Sequence, residues 1–164
     1  MNPTRGGWLI GLTLLIALIL AALHLPENWP QWLGWLRPAW VLLVIFFWVL
    51  ETPHRIGLIS AWMLGALIDV MHADPLGLNG LLLAAVTYFT WSFYERLRMY
   101  SVVQQCSVVF MLVAVCEFVR VFVQDLLFDR GLSWGPFAIA GISAVLWPFC
   151  YLILIRLRQQ FRVE

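Results

Sequence analysis

Six apolar stretches cover most of the chain, and the breaks between them are short and rich in charged residues, proline, glycine or asparagine. The stretches cover residues 8–25, 33–50, 56–71, 76–94, 102–124 and 134–155. A helix that crosses a bilayer needs about 20 apolar residues, within a range of about 17–25. Four stretches meet this length, the third is slightly short, and the second is strongly apolar only from residue 39. The sequence therefore predicts an all-α integral membrane protein, a compact bundle of about six transmembrane helices in one domain over residues 1–164.

The composition excludes an ordinary soluble domain. Hydrophobic residues make up 63% of the chain and charged residues only 12%, whereas soluble domains are about half apolar and about a quarter charged. The spans account for most of the 164 residues, so the chain has no room for a separate soluble domain. The net charge of +1 gives no electrostatic indication of nucleic-acid binding.

The positions of the arginines predict the orientation. With six spans and a cytoplasmic N-terminus, seven arginines are cytoplasmic and two are external, as the positive-inside rule requires. The seven are Arg5, Arg55, Arg96, Arg98, Arg156, Arg158 and Arg162; the external two are Arg37 and Arg130. We therefore expect a multi-pass protein of the bacterial inner (plasma) membrane with both termini in the cytoplasm.

The first stretch has an alternative interpretation as a cleaved signal peptide, since Arg5 precedes an apolar run. Cleavage after Ala21 or Ala22 would place Ile19 or Leu20 where a small residue is required. An uncleaved span is the favoured interpretation.

Ionisable residues inside spans form the candidate site, because charges are costly there and often functional. Helical spacing places Glu117 and Arg120 on one face of the fifth span with Gln124, and Gly65, Asp69 and His72 on one face of the third with Trp62. The predicted orientation puts these charges in the outer half of the membrane. Either they form a polar pocket or partner surface facing the cell exterior, or Arg120 pairs with Glu117 or Asp69 and fixes helix packing.

A second candidate is a basic face on the cytoplasmic side that could bind a cytoplasmic partner. It consists of Arg96, Arg98, Arg156, Arg158 and Arg162. Topology and contact with anionic membrane lipids explain the same residues equally well.

No motif for an enzyme, a metal or a cofactor is present. The sequence lacks a His-Glu-x-x-His pair and a Gly-rich phosphate loop, and no histidine follows Ser143, the one candidate nucleophile. His72 and Asp74 are too few for a metal site. The three cysteines lie in apolar runs and predict no disulfide or zinc site. We expect a protein without catalytic activity, cofactor or metal.

Several segments, in order along the chain, resemble the family of the rod shape-determining protein MreD. They are RPAWVLL (37–43), WVLETPHR (48–55), GALID (65–69) followed by LG (76–77), LWP (146–148) and RLRQQF (156–161). No single segment is specific alone, but the ordered set covers essentially the whole chain and resembles the proteobacterial members.

The resemblance implies a non-enzymatic component of the cell-elongation machinery in a rod-shaped Gram-negative bacterium, which scaffolds or regulates peptidoglycan synthesis. The implied partners are MreC above all, and MreB, RodA and a class B penicillin-binding transpeptidase directly or indirectly. The family supplies no catalytic residues. Gly65 and Asp69 match family positions, and we expect them in helix packing or in a partner surface.

The resemblance also implies a fold similar to the S components of energy-coupling-factor vitamin transporters, and this suggests an alternative function. An S component binds its substrate in an outward-facing pocket, where Asp69, Glu117 and Arg120 are expected to lie. The pairs Ala17/Ala21 and Ala61/Gly65 resemble the small-residue docking motifs of such transporters.

Overall fold

The computed structural model describes residues 7–22, 38–72, 74–128 and 134–160. Within these residues the chain forms seven helices and no strand, which confirms the prediction of an all-α protein. The helices are α1 (Gly7–Ala22), α2 (Trp40–Glu51), α3 (Leu58–His72), α4 (Leu78–Ser92), α5 (Tyr94–Met99), α6 (Val102–Phe128) and α7 (Gly135–Gln160). Each apolar stretch of the sequence corresponds to one helix of at least 12 residues, and the short α5 follows the helix of the fourth stretch. Residues 23–25 and 33–37 of the predicted spans lie outside the described residues.

The apolar helices fall into two groups by length. Helices α6 and α7 are long and apolar enough to cross a membrane by length and composition, whereas α1, α2 and α3 are apolar but shorter. At 1.5 Å per residue, the 12 residues of α2 extend only about 18 Å, against a hydrocarbon core of about 30 Å. The arrangement with six spans therefore stays a prediction.

Helix α2 lies at the centre of the bundle. Residues 41–50 are all buried, and Phe46, Phe47 and Trp48 have no exposed surface at all. Helices α1, α4, α5 and α7 all contact α2. A helix that is apolar on every face is one that is buried on every face. The helix of the second predicted span, which is shorter than the helix of any other predicted span, is thus the core of the protein.

Hydrogen bonds near both ends join α2 to its neighbours. The indole Nε1 of Trp48 donates a hydrogen bond of 2.9 Å to the hydroxyl of Thr13 in α1. At the other end of α2, the backbone N–H of Ala39 donates to the hydroxyl of Ser143 in α7, at 3.0 Å. The first contact is buried and the second partly buried, and each gives a donor an acceptor on a neighbouring helix.

We expect Thr13→Val to destabilise the protein by about 1–3 kcal/mol, because it leaves the buried Trp48 N–H without an acceptor. Thr90→Val is the matched control. Thr90 is equally buried, but its hydroxyl donates to the Val86 carbonyl of its own helix, which keeps its helical hydrogen bond. Thermal unfolding in detergent should show a lower midpoint for the Thr13 variant alone. Equal midpoints would contradict this assignment.

The outer surface of the bundle carries many apolar side chains. Large apolar side chains are exposed on every long helix except α2, among them Leu15, Ile59, Leu81, Met111 and Val145. Monomeric soluble proteins rarely expose contiguous apolar patches larger than a few hundred Å². An apolar surface around an apolar core is the arrangement expected of a protein surrounded by lipid.

Candidate functional site

Helices α3 and α4 touch backbone to backbone at Gly65. A Cβ atom on Gly65 would lie within 3.0 Å of the Asn79 carbonyl oxygen and of the Gly80 backbone, closer than real Cβ contacts come. A Cβ atom on Gly80 would meet the Trp62 carbonyl oxygen at 2.9 Å. Glycine at both positions permits the close approach that small residues give to helices in membranes. The contact holds Asn79, in the first turn of α4, against α3.

Asp69 connects the end of α3 to the beginning of α4. Its carboxylate is fully buried and accepts hydrogen bonds from the backbone N–H of Gly77 at 2.7 Å and of Asn79 at 3.0 Å. It also accepts one from the side-chain amide of Asn79 at 2.7 Å. Gly77 has a φ of +94°, a left-handed conformation that favours glycine. Asp69 therefore satisfies donors at the N-terminus of α4 that the helix itself cannot satisfy.

Arg120 of α6 joins this arrangement through Asn79. Its Nη1 donates to Glu117 Oε1 at 2.6 Å, its Nε donates to Asn79 Oδ1 at 3.0 Å, and its Nη2 donates to the same Asn79 oxygen. The ion pair predicted for Arg120 is therefore formed with Glu117, one turn away on the same helix. Asp69 interacts with Arg120 only indirectly, since Asn79 stands between them.

Asp74 and Gln124 extend the network to the loop between α3 and α4. Asp74 accepts a hydrogen bond from the Asn79 side chain at 3.1 Å and one from the Gln124 side chain at 2.6 Å. His72 lies beside them, with its Nδ1 at 3.1 Å from the Ile68 carbonyl oxygen. Side chains of α3, α4, α6 and the loop thus form one continuous polar cluster.

The structure brings together most of the predicted residues. Asp69, Glu117 and Arg120 belong to the cluster, and Gly65 provides the close approach that positions its central residue, Asn79. Helical spacing placed Trp62 on the same face as Asp69, but Trp62 is 48% exposed and its ring lies against Gly80. The face of α3 that enters the cluster is narrower than the spacing predicted.

Sequence reasoning missed Asn79 as a functional candidate. It lies within the fourth predicted span and is not among the candidate residues, yet Asn79 is 2% exposed and bonds to Asp69, Asp74 and Arg120. The sequence does contain a signal for Asn79: it is the one amide side chain in α4, and it lies in the first turn of this largely apolar helix. Polar side chains inside a membrane-embedded bundle are expected to bond to one another.

A cavity of about 360 Å³ opens beside the cluster, and we call it the polar cavity. It lies at the end of the bundle where α1, α3 and α6 finish and α2, α4 and α7 begin. Polar groups from the cluster line one part and apolar side chains the other. Its polar lining is His72, Asp74, Asn79, Glu117, Arg120 and Gln124, and its apolar lining includes Leu42, Ile68, Leu82, Leu83, Cys116 and Ile139.

The predicted basic face lies at the opposite end of the bundle. Arg96 and Arg98 in α5 and Arg156 in α7 are exposed. Arg158 forms an ion pair of 2.5 Å with Glu51 at the end of α2. Arg98 and Arg158 also interact electrostatically with Tyr151, so they share one neighbourhood. Arg162 lies outside the described residues.

Metal-binding side chains do not converge in the part of the chain that the structure describes. It contains no group of three or more histidine, cysteine, aspartate or glutamate residues that could hold a metal ion. The acidic groups of the cluster instead accept hydrogen bonds from Arg120, Asn79, Gln124 and Gly77.

Comparison with known proteins gives a consistent result. The family model described as rod shape-determining protein MreD matches residues 4–157. A protein of Haemophilus influenzae (strain ATCC 51907 / DSM 11121 / KW20 / Rd), named Rod shape-determining protein MreD, is 26% identical over 152 residues, which cover 93% of this chain and 94% of that protein. No solved structure matches the chain, so the fold similarity to S components stays a prediction. The comparisons do not support a vitamin transporter component. The chain therefore belongs to the MreD family of rod shape-determining proteins.

Proposed function

We propose that this protein is a non-enzymatic inner-membrane component of the cell-elongation machinery of a rod-shaped bacterium, where it scaffolds and regulates peptidoglycan synthesis together with MreC. The observation that carries the proposal is the family match over residues 4–157, nearly the whole chain. The polar side chains of the cluster bond mainly to one another, and such structural bonding is compatible with the proposed non-enzymatic role.

The proposed membrane arrangement has six spans and two cytoplasmic termini. Proteins of this family are membrane proteins, and α6 and α7 have the length and composition of membrane spans. The exposed apolar side chains on α1, α3 and α4 support placing these shorter helices in lipid as well. The exposed arginines of α5 and of the end of α7 lie together at the end opposite the polar cavity, as the positive-inside rule predicts for a cytoplasmic side.

The proposed partners divide between the membrane and the cytoplasm. MreC is the first partner, and RodA and a class B penicillin-binding transpeptidase are further ones; the exposed apolar faces of the outer helices suit contacts with membrane-embedded chains. MreB is the proposed cytoplasmic partner, directly or indirectly. Exposed Arg96, Arg98 and Arg156 suit an acidic surface on that side.

Conditional depletion in the native host tests the proposal. Depleted cells should swell into spheres whether or not vitamins are supplied, because a failed elongation machinery removes rod shape and no nutrient restores it. Microscopy of single cells over several generations is the measurement, and re-expression of the intact chain is the control. Depleted cells that remain rod-shaped but require a vitamin would contradict the proposal.

A further inference from the structure

The indole of Trp62 carries a hydrogen-bond donor at the outer surface of the bundle. Its ring lies against α4, and a Cβ atom on Gly80 would meet the indole Nε1 at 3.1 Å. The side chain is 48% exposed, and this N–H has no hydrogen-bond acceptor among the described residues. The indoles of the buried Trp48 and Trp147 both donate to a side-chain oxygen of a neighbouring helix. Trp62 therefore presents an unused donor to whatever surrounds the protein.

This donor lies halfway along α3. Gly80, which the indole touches, packs against Gly65, the central residue of the 15-residue α3. Each half of α3 extends about 10 Å from that point, at 1.5 Å per residue. With α3 placed across the membrane, the N–H of Trp62 is therefore far from the headgroups of both leaflets. Tryptophans that anchor a protein at the interface keep their N–H at headgroup level instead.

The surroundings of the indole leave this donor without a partner in a lipid environment. The adjacent exposed side chains are apolar, with Ile59 one turn earlier, Met63 next to Trp62 and Leu81 next to Gly80. Trp62 also lies outside the described lining of the polar cavity. Acyl chains have no hydrogen-bond acceptor, and an unpaired polar group in hydrocarbon costs free energy. An acceptor has to come from another chain.

The exposed side of α3 has room for such a chain. Helix α3 packs mainly against α4, and Ile59, Met63, Leu67 and Val70 are each more than half exposed. None of the exposed residues of α3 is charged, so an uncharged surface complements this face. Side chains of Ser, Thr, Asn and Gln form hydrogen bonds across helices in membranes. A neighbouring helix with one such residue covers the apolar side chains and pairs the indole N–H, whereas lipid does only the first.

We propose that the exposed face of α3 around Trp62 docks a membrane-spanning helix of a partner protein. A hydroxyl or amide side chain of that helix accepts a hydrogen bond from the Trp62 indole halfway across the membrane. The inference rests on the proposed function, in which MreC is the first partner, and it assigns the membrane-spanning helix of MreC to this face.

Retention of MreC by the full-length protein tests the hydrogen bond. Both proteins are produced together in the native host, and immunoblotting measures the MreC that stays with the purified chain in mild detergent. Trp62→Phe keeps an aromatic ring and removes the N–H donor. We expect it to lower retention about threefold, the usual effect of one interhelical hydrogen bond in a membrane. The midpoint of thermal unfolding of the chain alone should not change, because the donor has no acceptor within the described residues.

Trp91→Phe is the matched control. Trp91 is 47% exposed, almost as much as Trp62, but it lies in the last turn of α4, away from the middle of the helix. This variant should retain as much MreC as the natural chain. Undiminished retention by Trp62→Phe, or an equal loss in both variants, would overturn the proposal.

Photo-cross-linking tests the surface without removing a contact. Met63→benzoylphenylalanine should cross-link to MreC, whereas Met111→benzoylphenylalanine on α6 should not, although both methionines are more than half exposed. Absence of a cross-link from position 63, or a cross-link to a second copy of this chain instead of MreC, would overturn the proposed docking and leave the proposed function standing. A natural chain that retains no MreC at all would overturn the docking and the proposed role beside MreC together. The depletion experiment reads cell shape, so its outcome is separate from both measurements.

Discussion

Gly65→Ala is expected to reduce the amount of folded protein in the membrane several-fold. The added methyl group would lie within 3.0 Å of backbone atoms of Asn79 and Gly80, and backbone cannot turn aside as a flexible side chain can. Inserting a methyl group into a tightly packed core costs about 1–3 kcal/mol and occasionally more. We expect a destabilisation at the upper end of this range. Helices α3 and α4 must move apart to admit the methyl group, and this breaks the hydrogen bonds of Asn79. Immunoblotting of membrane fractions and thermal unfolding in detergent measure the effect.

Gly141→Ala is the control for this prediction. Gly141 also lies inside a long helix, but a Cβ atom there would meet nothing within 4 Å. The control should be neutral or slightly stabilising, since alanine favours the helix over glycine by about 1 kcal/mol. If both variants reach normal abundance, the prediction is contradicted, because glycine at position 65 is then not required for the close contact of α3 with α4.

Asp69→Leu is expected to lower membrane abundance to a similar degree. The substitution leaves the backbone N–H groups of Gly77 and Asn79 and the side-chain amide of Asn79 without their acceptor. Each buried unsatisfied donor costs about 1–3 kcal/mol, so the summed effect is several kcal/mol. Asn79 also holds Arg120, so the α6 side of the cluster loses its position too. The measurement is membrane abundance, together with cell shape in a host that depends on the variant.

Glu95→Leu serves as the control carboxylate, because Glu95 is exposed and accepts one bond, from the neighbouring Tyr94 hydroxyl. Its effect on stability should stay within about 0.5 kcal/mol. Normal abundance of Asp69→Leu with loss of rod shape would assign Asp69 to a partner surface. Normal abundance with normal shape would contradict both the packing and the partner interpretations.

The sequence indicated the helices more reliably than the contacts between them. Long apolar runs fixed the positions of α6 and α7 closely, because few other structures bury such runs. The central position of α2 was not predictable, since its eleven apolar residues form the same pattern whether they face lipid or protein. Burial depends on which helices surround α2, and that information is spread over α1, α4, α5 and α7.

The candidate site was predictable in part for a similar reason. Helical spacing put Glu117 next to Arg120 because both lie on one helix, three residues apart. The link between Arg120 of α6 and Asp69 of α3 passes through Asn79 of α4. Residue spacing along one helix cannot predict such a contact between helices. The close contact of α3 with α4 at Gly65 and Gly80 brings Asn79 within reach of both Asp69 and Arg120.

The enclosed position of α2 has a consequence for the order in which the protein is made. The ribosome delivers α2 early, but Ser143 and Trp147 of α7, which contact its Ala39 and Phe46, are synthesised about a hundred residues later. At about 5–20 residues per second, α2 spends several seconds in the translocation machinery or in lipid before its last neighbour arrives. A chain that stops before α7 leaves the most apolar helix uncovered on one side.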